Sequence, residues 1–205
     1  MRALDVQTYN AVALKIKAPI YTYYADRILK RTGIKSGSCL DIGCGGGYLG
    51  LALAKITRLD CIFFDQSYEM LCCAIENIIL NSLTLQARTL LGRVQAIPLA
   101  DSSVDLVISR GSIPFWEDLP TAFREIYRIL KIGGCVYIGG GLGDPNTRAE
   151  IQDRILHDYP EWHQKQHKPP RHENRHYSDA LIKAGIQSFT VTRNDEGMWI
   201  TFQKK

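Results

Sequence analysis

Cys39-Leu40-Asp41-Ile42-Gly43-Cys44-Gly45-Gly46-Gly47-Tyr48-Leu49 runs from an apolar segment through a glycine cluster into a helical pattern. Ser38 to Ile42 reads as a buried strand. Tyr48 to Ile56 reads as a helix with Leu49, Leu53 and Ile56 on one face. A chain that turns sharply from strand to helix while its backbone approaches a ligand needs positions without side chains. A tight turn alone would explain the glycines, but not the acids around them. Asp41 precedes the loop, and Asp65 closes the next apolar run, Cys61-Ile62-Phe63-Phe64-Asp65. A carboxylate at the end of that second strand accepts two hydrogen bonds at once, which suits the paired hydroxyls of a ribose.

Outward from the loop, strands and helices alternate. Tyr68 to Leu80 carries Leu71, Ile75, Ile78 and Ile79 at helical spacing; a short strand is expected near Arg93 to Ala96, and a fourth at Asp105 to Ser109. Pro120 to Leu130 reads as a helix opened by its proline, stopped by Lys131-Ile132-Gly133-Gly134, and followed by a fifth strand at Cys135 to Ile138. Repeated strand–helix units predict a parallel sheet covered by helices on both faces. Phe189 to Thr192 and Met198 to Phe202 flank Asn194-Asp195-Glu196-Gly197, a hairpin signal that ends the sheet in antiparallel strands. Residues 1–31, rich in tyrosine, are expected to form a helical cap. Residues 144–177, with all five histidines, are expected to form a lid-like insertion within a single domain spanning 1–205.

Composition narrows the function. A net charge of +4 without a basic cluster gives no expectation of nucleic acid, since Lys165 to Arg175 is interrupted by His, Pro and Glu173. No run approaches the roughly 18 apolar residues of a membrane span. Met1-Arg2-Ala3-Leu4-Asp5 does not resemble a secretory signal, and six cysteines without a CxxC pair read as reduced thiols. A cytoplasmic protein acting on a small molecule is the expectation.

The stretch Cys39 to Gly47 resembles the first motif of class I S-adenosylmethionine-dependent methyltransferases, and the block from Ser109 to Gly141 is similar to a prokaryotic subgroup of them with no assigned substrate. The resemblance implies an α/β, Rossmann-like three-layer sandwich with a mostly parallel seven-stranded sheet, S-adenosyl-L-methionine as cofactor, and methyl transfer to a small acceptor. It implies that Asp41 helps to place the amino-acid end of the cofactor, that Gly43, Gly45 and Gly47 line its sulfonium and ribose, that Asp65 with Gln66 holds the ribose, and that Met70 packs on the adenine. The dehydrogenase fingerprint fits less well, because its third glycine falls at Tyr48 or Gly50 according to alignment.

Gly92 to Asp105 also follows a family pattern, but that pattern usually has an acid where Arg93 stands. Arginine has only donors. Arg93 therefore points to solvent, leaving the backbone at Val94 and Gln95 to read the adenine, or stacks on the ring. Beyond the fourth strand, Arg110 either binds a carboxylate of cofactor or substrate or pairs with Glu117 or Asp118. Tyr21, Ser112, Trp116, Glu117 and His157 are the expected substrate contacts, although Trp116 equally suits packing between loop and helix. His163 and His167, and His172 and His176, stand at i, i+4 spacing; each pair reads as a candidate metal site or as part of a solvated lid. A cofactor- or metal-sensing module without catalysis is the alternative reading.

Overall fold

Alternation along each strand sorts the molecule into two cores. Cys39, Cys61, Phe63, Leu106, Ile108 and Tyr137 face one core; Leu40, Ile42, Ile62, Phe64, Val107, Val136 and Ile138 face the other. Successive strand residues point to opposite faces, and a sheet apolar on both must be covered on both. The computed structural model describes residues 6–161 and 172–205.

The elements are α1 (Val6–Lys15), α2 (Ala18–Thr32), β1 (Ser36–Ile42), α3 (Tyr48–Ala54), β2 (Arg58–Asp65), α4 (Tyr68–Leu80), β3 (Ala87–Leu91), β4 (Val104–Arg110), α5 (Leu119–Ile129), β5 (Leu130–Gly140), α6 (Pro145–Asp158), α7 (Asn174–Lys183), β6 (Phe189–Asn194) and β7 (Gly197–Gln203). A seven-stranded sheet runs β3-β2-β1-β4-β5-β7-β6. Its first five strands are parallel, and β7 is antiparallel to both β5 and β6. Residues from α1, α2, α3, α4 and α6 join the first core, and those from α5 and α7 join the second. The expected Rossmann-like sandwich and terminal hairpin are present. The chain leaves β1 toward β2 on one side while β4 lies on the other, so the carboxyl ends of β1 and β4 open a crevice at the switch point of the sheet.

Three expectations change. The third strand is Ala87–Leu91, not Arg93 to Ala96; the latter pair makes one isolated antiparallel bridge in a turn just before Ile97-Pro98. As an edge strand, β3 has Arg88 and Leu91 exposed, so its apolar pattern is weak. The fifth strand begins at Leu130, because Lys131 to Gly134 passes through a register shift against β4, with Gly133 at φ 81°, and rejoins the ladder at Cys135. The helix after the glycine loop ends at Ala54 and is buried on nearly every side, leaving Ile56 exposed beyond it, and Ile75 and Ile79 are exposed, so the buried face of α4 is narrower than its spacing suggested. Asp118 caps α5 by accepting from the Thr121 N–H, and Ser67 caps α4 by accepting from Met70 N–H.

Packing is tight where α3 meets β2. A Cβ on Gly50 would sit 2.3 Å from the Phe63 ring, and one on Gly47 would sit 2.6 Å from it. Gly50→Ala is therefore expected to destabilise the fold by about 1–3 kcal/mol through overpacking, read as a lower denaturation midpoint, and Phe63→Leu in the same chain is expected to recover part of that loss.

Candidate active site

The loop after β1 is bent over β2 by its own backbone, since the N–H groups of Gly43 and Cys44 both donate to the Phe64 carbonyl, at 2.8 and 3.2 Å. Gly43, Gly45 and Gly47 all take positive φ, but they serve different neighbours. A Cβ on Gly43 would lie 2.2 Å from Ser112 Cβ, and Gly47 yields to Phe63. On Gly45 the nearest atoms are on Tyr48, Met70 and Tyr9, at 3.4, 3.9 and 4.0 Å. Gly45 is thus the glycine of the three whose Cβ would make only ordinary contacts; the other two are required by packing.

Two acids sit at this point. Asp65 accepts from Gly45 N–H on one oxygen at 2.8 Å and from Ser67 N–H on the other at 2.9 Å. Each oxygen keeps a lone pair for a further donor. Asp41 is buried and accepts from Gly50 N–H at 2.9 Å. Burial pushes its carboxyl up to about 7, opposed by the Gly50 hydrogen bond and reinforced by the charge of Asp65.

Cations and tyrosines lie nearby. Arg110 donates from Nε and one terminal nitrogen to the Gly141 carbonyl, at 3.1 and 2.6 Å, and its guanidinium lies 5.0 Å from the Tyr21 ring centroid and 6.0 Å from that of Tyr24. It also shares a hydrogen bond with the Tyr21 hydroxyl, leaving part of its five-donor capacity. Lys17 Nζ lies 5.8 Å from the Tyr9 ring centroid. Burial, with a lesser contribution from the charge of Arg110, lowers the Lys17 ammonium to about 8. Burial raises the phenols of Tyr9 and Tyr21, which stay protonated donors at neutral pH. Asn10 ties this wall to the loop: its Oδ1 accepts from Tyr48 Oη at 3.0 Å and from Asn77 Nδ2 at 3.1 Å, while Asn77, itself buried, also donates to the Gly46 carbonyl at 2.9 Å.

A family model described as a methyltransferase domain matches residues 40–138. A solved structure from Methanococcus maripaludis, provisionally assigned as an S-adenosyl-L-methionine-dependent methyltransferase, is 40% identical and superposes with a TM-score of 0.88, covering 97% of this chain and 91% of that one. The chain belongs to the S-adenosyl-L-methionine-dependent methyltransferases. Among curated relatives, a malonyl-[acyl-carrier protein] O-methyltransferase from Methylovorus sp. is 29% identical over 92% of this chain and 64% of its own length. The demethylmenaquinone methyltransferase of Chlorobaculum parvum is 32% identical over 52% of this chain and 42% of its own. The chain spans less than two thirds of the length of these curated methyltransferases.

Of the residues expected to serve a methyltransferase, Asp41, Gly45, Asp65, Met70, Arg110 and Tyr21 are brought near one another at the carboxyl ends of β1, β2 and β4. Others are engaged elsewhere. Ser112 Oγ donates to the Ile42 carbonyl at 3.1 Å, accepts from Trp116 Nε1 at 3.1 Å and shares a 2.6 Å bond with Ser109 Oγ. One hydroxyl hydrogen and two lone pairs are then fully occupied, and Ser112 is a fastening between loop and strand. Trp116 packs edge-on against Phe123 of α5. Arg93 neither stacks nor stands free: it pairs with Glu117 at 2.6 Å, joining the segments that follow β3 and β4. Both side chains are more than half exposed, so the pair contributes at most about 1 kcal/mol.

Gln66 is exposed, Val94 is buried in the second core, and Gln95 lines a surface hollow with Thr121 and Arg124. His157 is 88% exposed and bonds to Asp158 at 2.7 Å, away from the loop. His172 and His176 stack on each other at 4.2 Å, and His163 and His167 lie outside the described residues. Among the described residues, no three His, Cys, Asp or Glu side chains are grouped to hold a metal. Tyr9, Asn10, Lys17 and Asn77 went unpredicted, because no local motif marks them; only the helical cap as a whole was legible.

Asp41 links this methyltransferase site to stability. Its folded pKa, about 7, lies above its ordinary value of 3.8. The folded state therefore holds a proton that the unfolded state releases, and this contribution is fully present below pH 3.8 and lost as pH rises through 7. Relative to Asp41→Asn, the wild-type protein without cofactor is expected to lose stability across that window, measured by chemical denaturation at stepped pH.

Proposed function

We propose that this chain transfers the methyl group of S-adenosyl-L-methionine to a small-molecule acceptor. One observation carries the reading: beside the glycine loop, Asp41 near the end of β1 and Asp65 at the end of β2 stand at the same crevice of the sheet as the Arg110 guanidinium at the end of β4. A molecule with a ribose, an ammonium and a carboxylate matches that distribution. The donor set fits the cofactor. Asp65 retains acceptor capacity for two ribose hydroxyls; Asp41, whose buried carboxylate favours a cationic neighbour, suits the amino group; the remaining donors of Arg110 suit the carboxylate. Met70, whose sulfur would lie 3.9 Å from a Cβ on Gly45, offers an apolar surface on the same rim.

When bound, the cofactor supplies a methyl group activated by its sulfonium. The work of the protein is then alignment of the acceptor and exclusion of water. The cap formed by α1 and α2 supports both: Tyr9 borders Gly45, and Tyr21 covers Arg110. Relatives named for phosphoethanolamine and demethylmenaquinone support a small acceptor here as well.

Calorimetry is expected to show binding of S-adenosyl-L-methionine and of S-adenosylhomocysteine, and an absence of heat from folded protein would refute the proposal. Asp65→Asn is expected to weaken binding at least tenfold, the equivalent of about 1.4 kcal/mol and near the lower end for a hydrogen bond to a charged group. Affinity is also expected to rise with pH through 7, as Asp41 loses the proton that blocks an ammonium.

A further inference from the structure

The two edges of the sheet are unlike. At one, β6 exposes Thr190, Thr192, Arg193 and Asn194, polar residues that blunt an edge. At the other stands β3, which among the described residues has β2 as its only strand neighbour. It contains no proline, and its register with β2 has no shift. Its hydrogen bonding leaves one side open. Cys61 N–H donates to the Gln86 carbonyl at 2.8 Å, and Gly92 N–H to the Asp65 carbonyl at 3.0 Å. Alternation along a parallel strand turns the backbone of residues 88 and 90 toward β2 as well. The N–H and carbonyl groups of Thr89 and Leu91, and the carbonyl of Ala87, then face away from it. Ala87 N–H is taken by the Leu83 carbonyl at 2.8 Å.

Apolar side chains accompany this edge. α4 lies over β2 and β3. Its Leu71, Ala74 and Ile78 join the first core, while Asn77 turns to Asn10 and the Gly46 carbonyl. Ile75 and Ile79 each stand two residues from Asn77, about 200° round the helix. With Tyr68 and Cys72 they form a stripe on the flank away from α1, toward the free edge of β3. Leu91 pairs with Asp65, two residues on from Phe63, so its side chain lies on the same face as α4. Tyr68, Ile75, Ile79 and Leu91 are 68%, 45%, 60% and 54% exposed, and Leu85, between α4 and β3, is fully exposed. At about 200 Å² for each large residue, these five expose roughly 600 Å², most of the about 800 Å² that each partner buries in a standard interface.

We propose that a second copy of the chain docks here, its β3 pairing antiparallel with this one about a two-fold axis at Thr89. An isologous contact needs a surface complementary to itself, and this register supplies one. Thr89 exchanges both N–H···O bonds with Thr89 of the second copy, and each Leu91 N–H meets the Ala87 carbonyl of the other copy. Arg88 falls opposite Leu90 rather than another arginine, and Leu91 falls opposite the small Ala87. Strands about 4.8 Å apart bring the two α4 helices, each over its own β2 and β3, to about 10 Å from each other. That is the spacing of packed helices, and their isoleucine flanks face across it. The two sheets become one.

The test is sedimentation equilibrium of the full chain, where twice the 23.1 kDa chain mass is expected. Joint substitution Ile75→Lys and Ile79→Lys, at two exposed positions, is expected to weaken association at least a hundredfold. Thr89→Pro, which removes the central donor, is expected to weaken it at least tenfold. Should Thr89→Pro fail to fold, judged by circular dichroism, the double lysine variant carries the comparison. Directly paired residues of an antiparallel ladder stand about 5.5 Å apart at Cα, within disulfide reach. Thr89→Cys is therefore expected to form a covalent dimer on mild oxidation, to an extent that neither the wild-type chain nor Thr192→Cys on β6 shows. A chain that stays monomeric at high micromolar concentration overturns the proposal. So does a dimer that the double lysine variant leaves unchanged, or one in which Thr192→Cys cross-links as readily as Thr89→Cys, since either places the contact elsewhere.

Discussion

The Phe63 ring occupies the space that side chains at positions 47 and 50 would need, and much of the site depends on that contact. It brings α3 down onto β2 and so brings Gly50 N–H within 2.9 Å of Asp41. The same approach fixes the exit of the glycine loop, leaving Gly45 as the residue that opens outward. A loop of this kind is commonly read as glycine required by a ligand. Here glycine at 43, 47 and 50 is required by Ser112 and Phe63, and the ligand-facing demand falls on one position.

Holding that loop open needs support from both sides. Asp65 grips Gly45 N–H from β2, and Asn77 grips the Gly46 carbonyl from α4. Asn10 then joins Asn77 and Tyr48 to α1, so the N-terminal cap is tied to the loop through a buried polar junction. Such a junction is costly when incomplete and rigid when satisfied. It couples the position of Tyr9 to the loop beside Gly45. On the far side, Arg110 is held by the Gly141 carbonyl. That segment is secured in turn by α2 and the β6–β7 turn, where Tyr24 Oη donates to the Glu196 carbonyl and accepts from Gly143 N–H, and Glu196 pairs with Arg27 at 2.7 Å.

The charges buried at this site have a cost. Asp41 is buried near another acid, and Lys17 near another cation; both pKa values move toward neutrality. A site tuned only for the stability of the empty protein would avoid both. The arrangement suits charged ligands that complete it, as expected of binding sites in which polar groups are preorganised against their own interest.

Local pattern was enough for the strand–loop–helix at 38–56, the two acids, the alternation of βα units and the terminal hairpin, because each is written in spacing over a few residues. Asp41, Gly45, Asp65 and Arg110 were legible for the same reason: they sit at the ends of strands, where the order of the sheet decides what they face. Tertiary packing decided the rest. Edge strand β3 carries too little apolar pattern to be read, and the roles of Ser112, Trp116 and Arg93 follow from partners up to 70 residues distant. Tyr9, Asn10 and Lys17 have no motif at all. What they do depends on where two cap helices land on the sheet, and that is set by the burial of Val12, Ile16 and Ile20, residues chosen for the core and silent about the cleft above it.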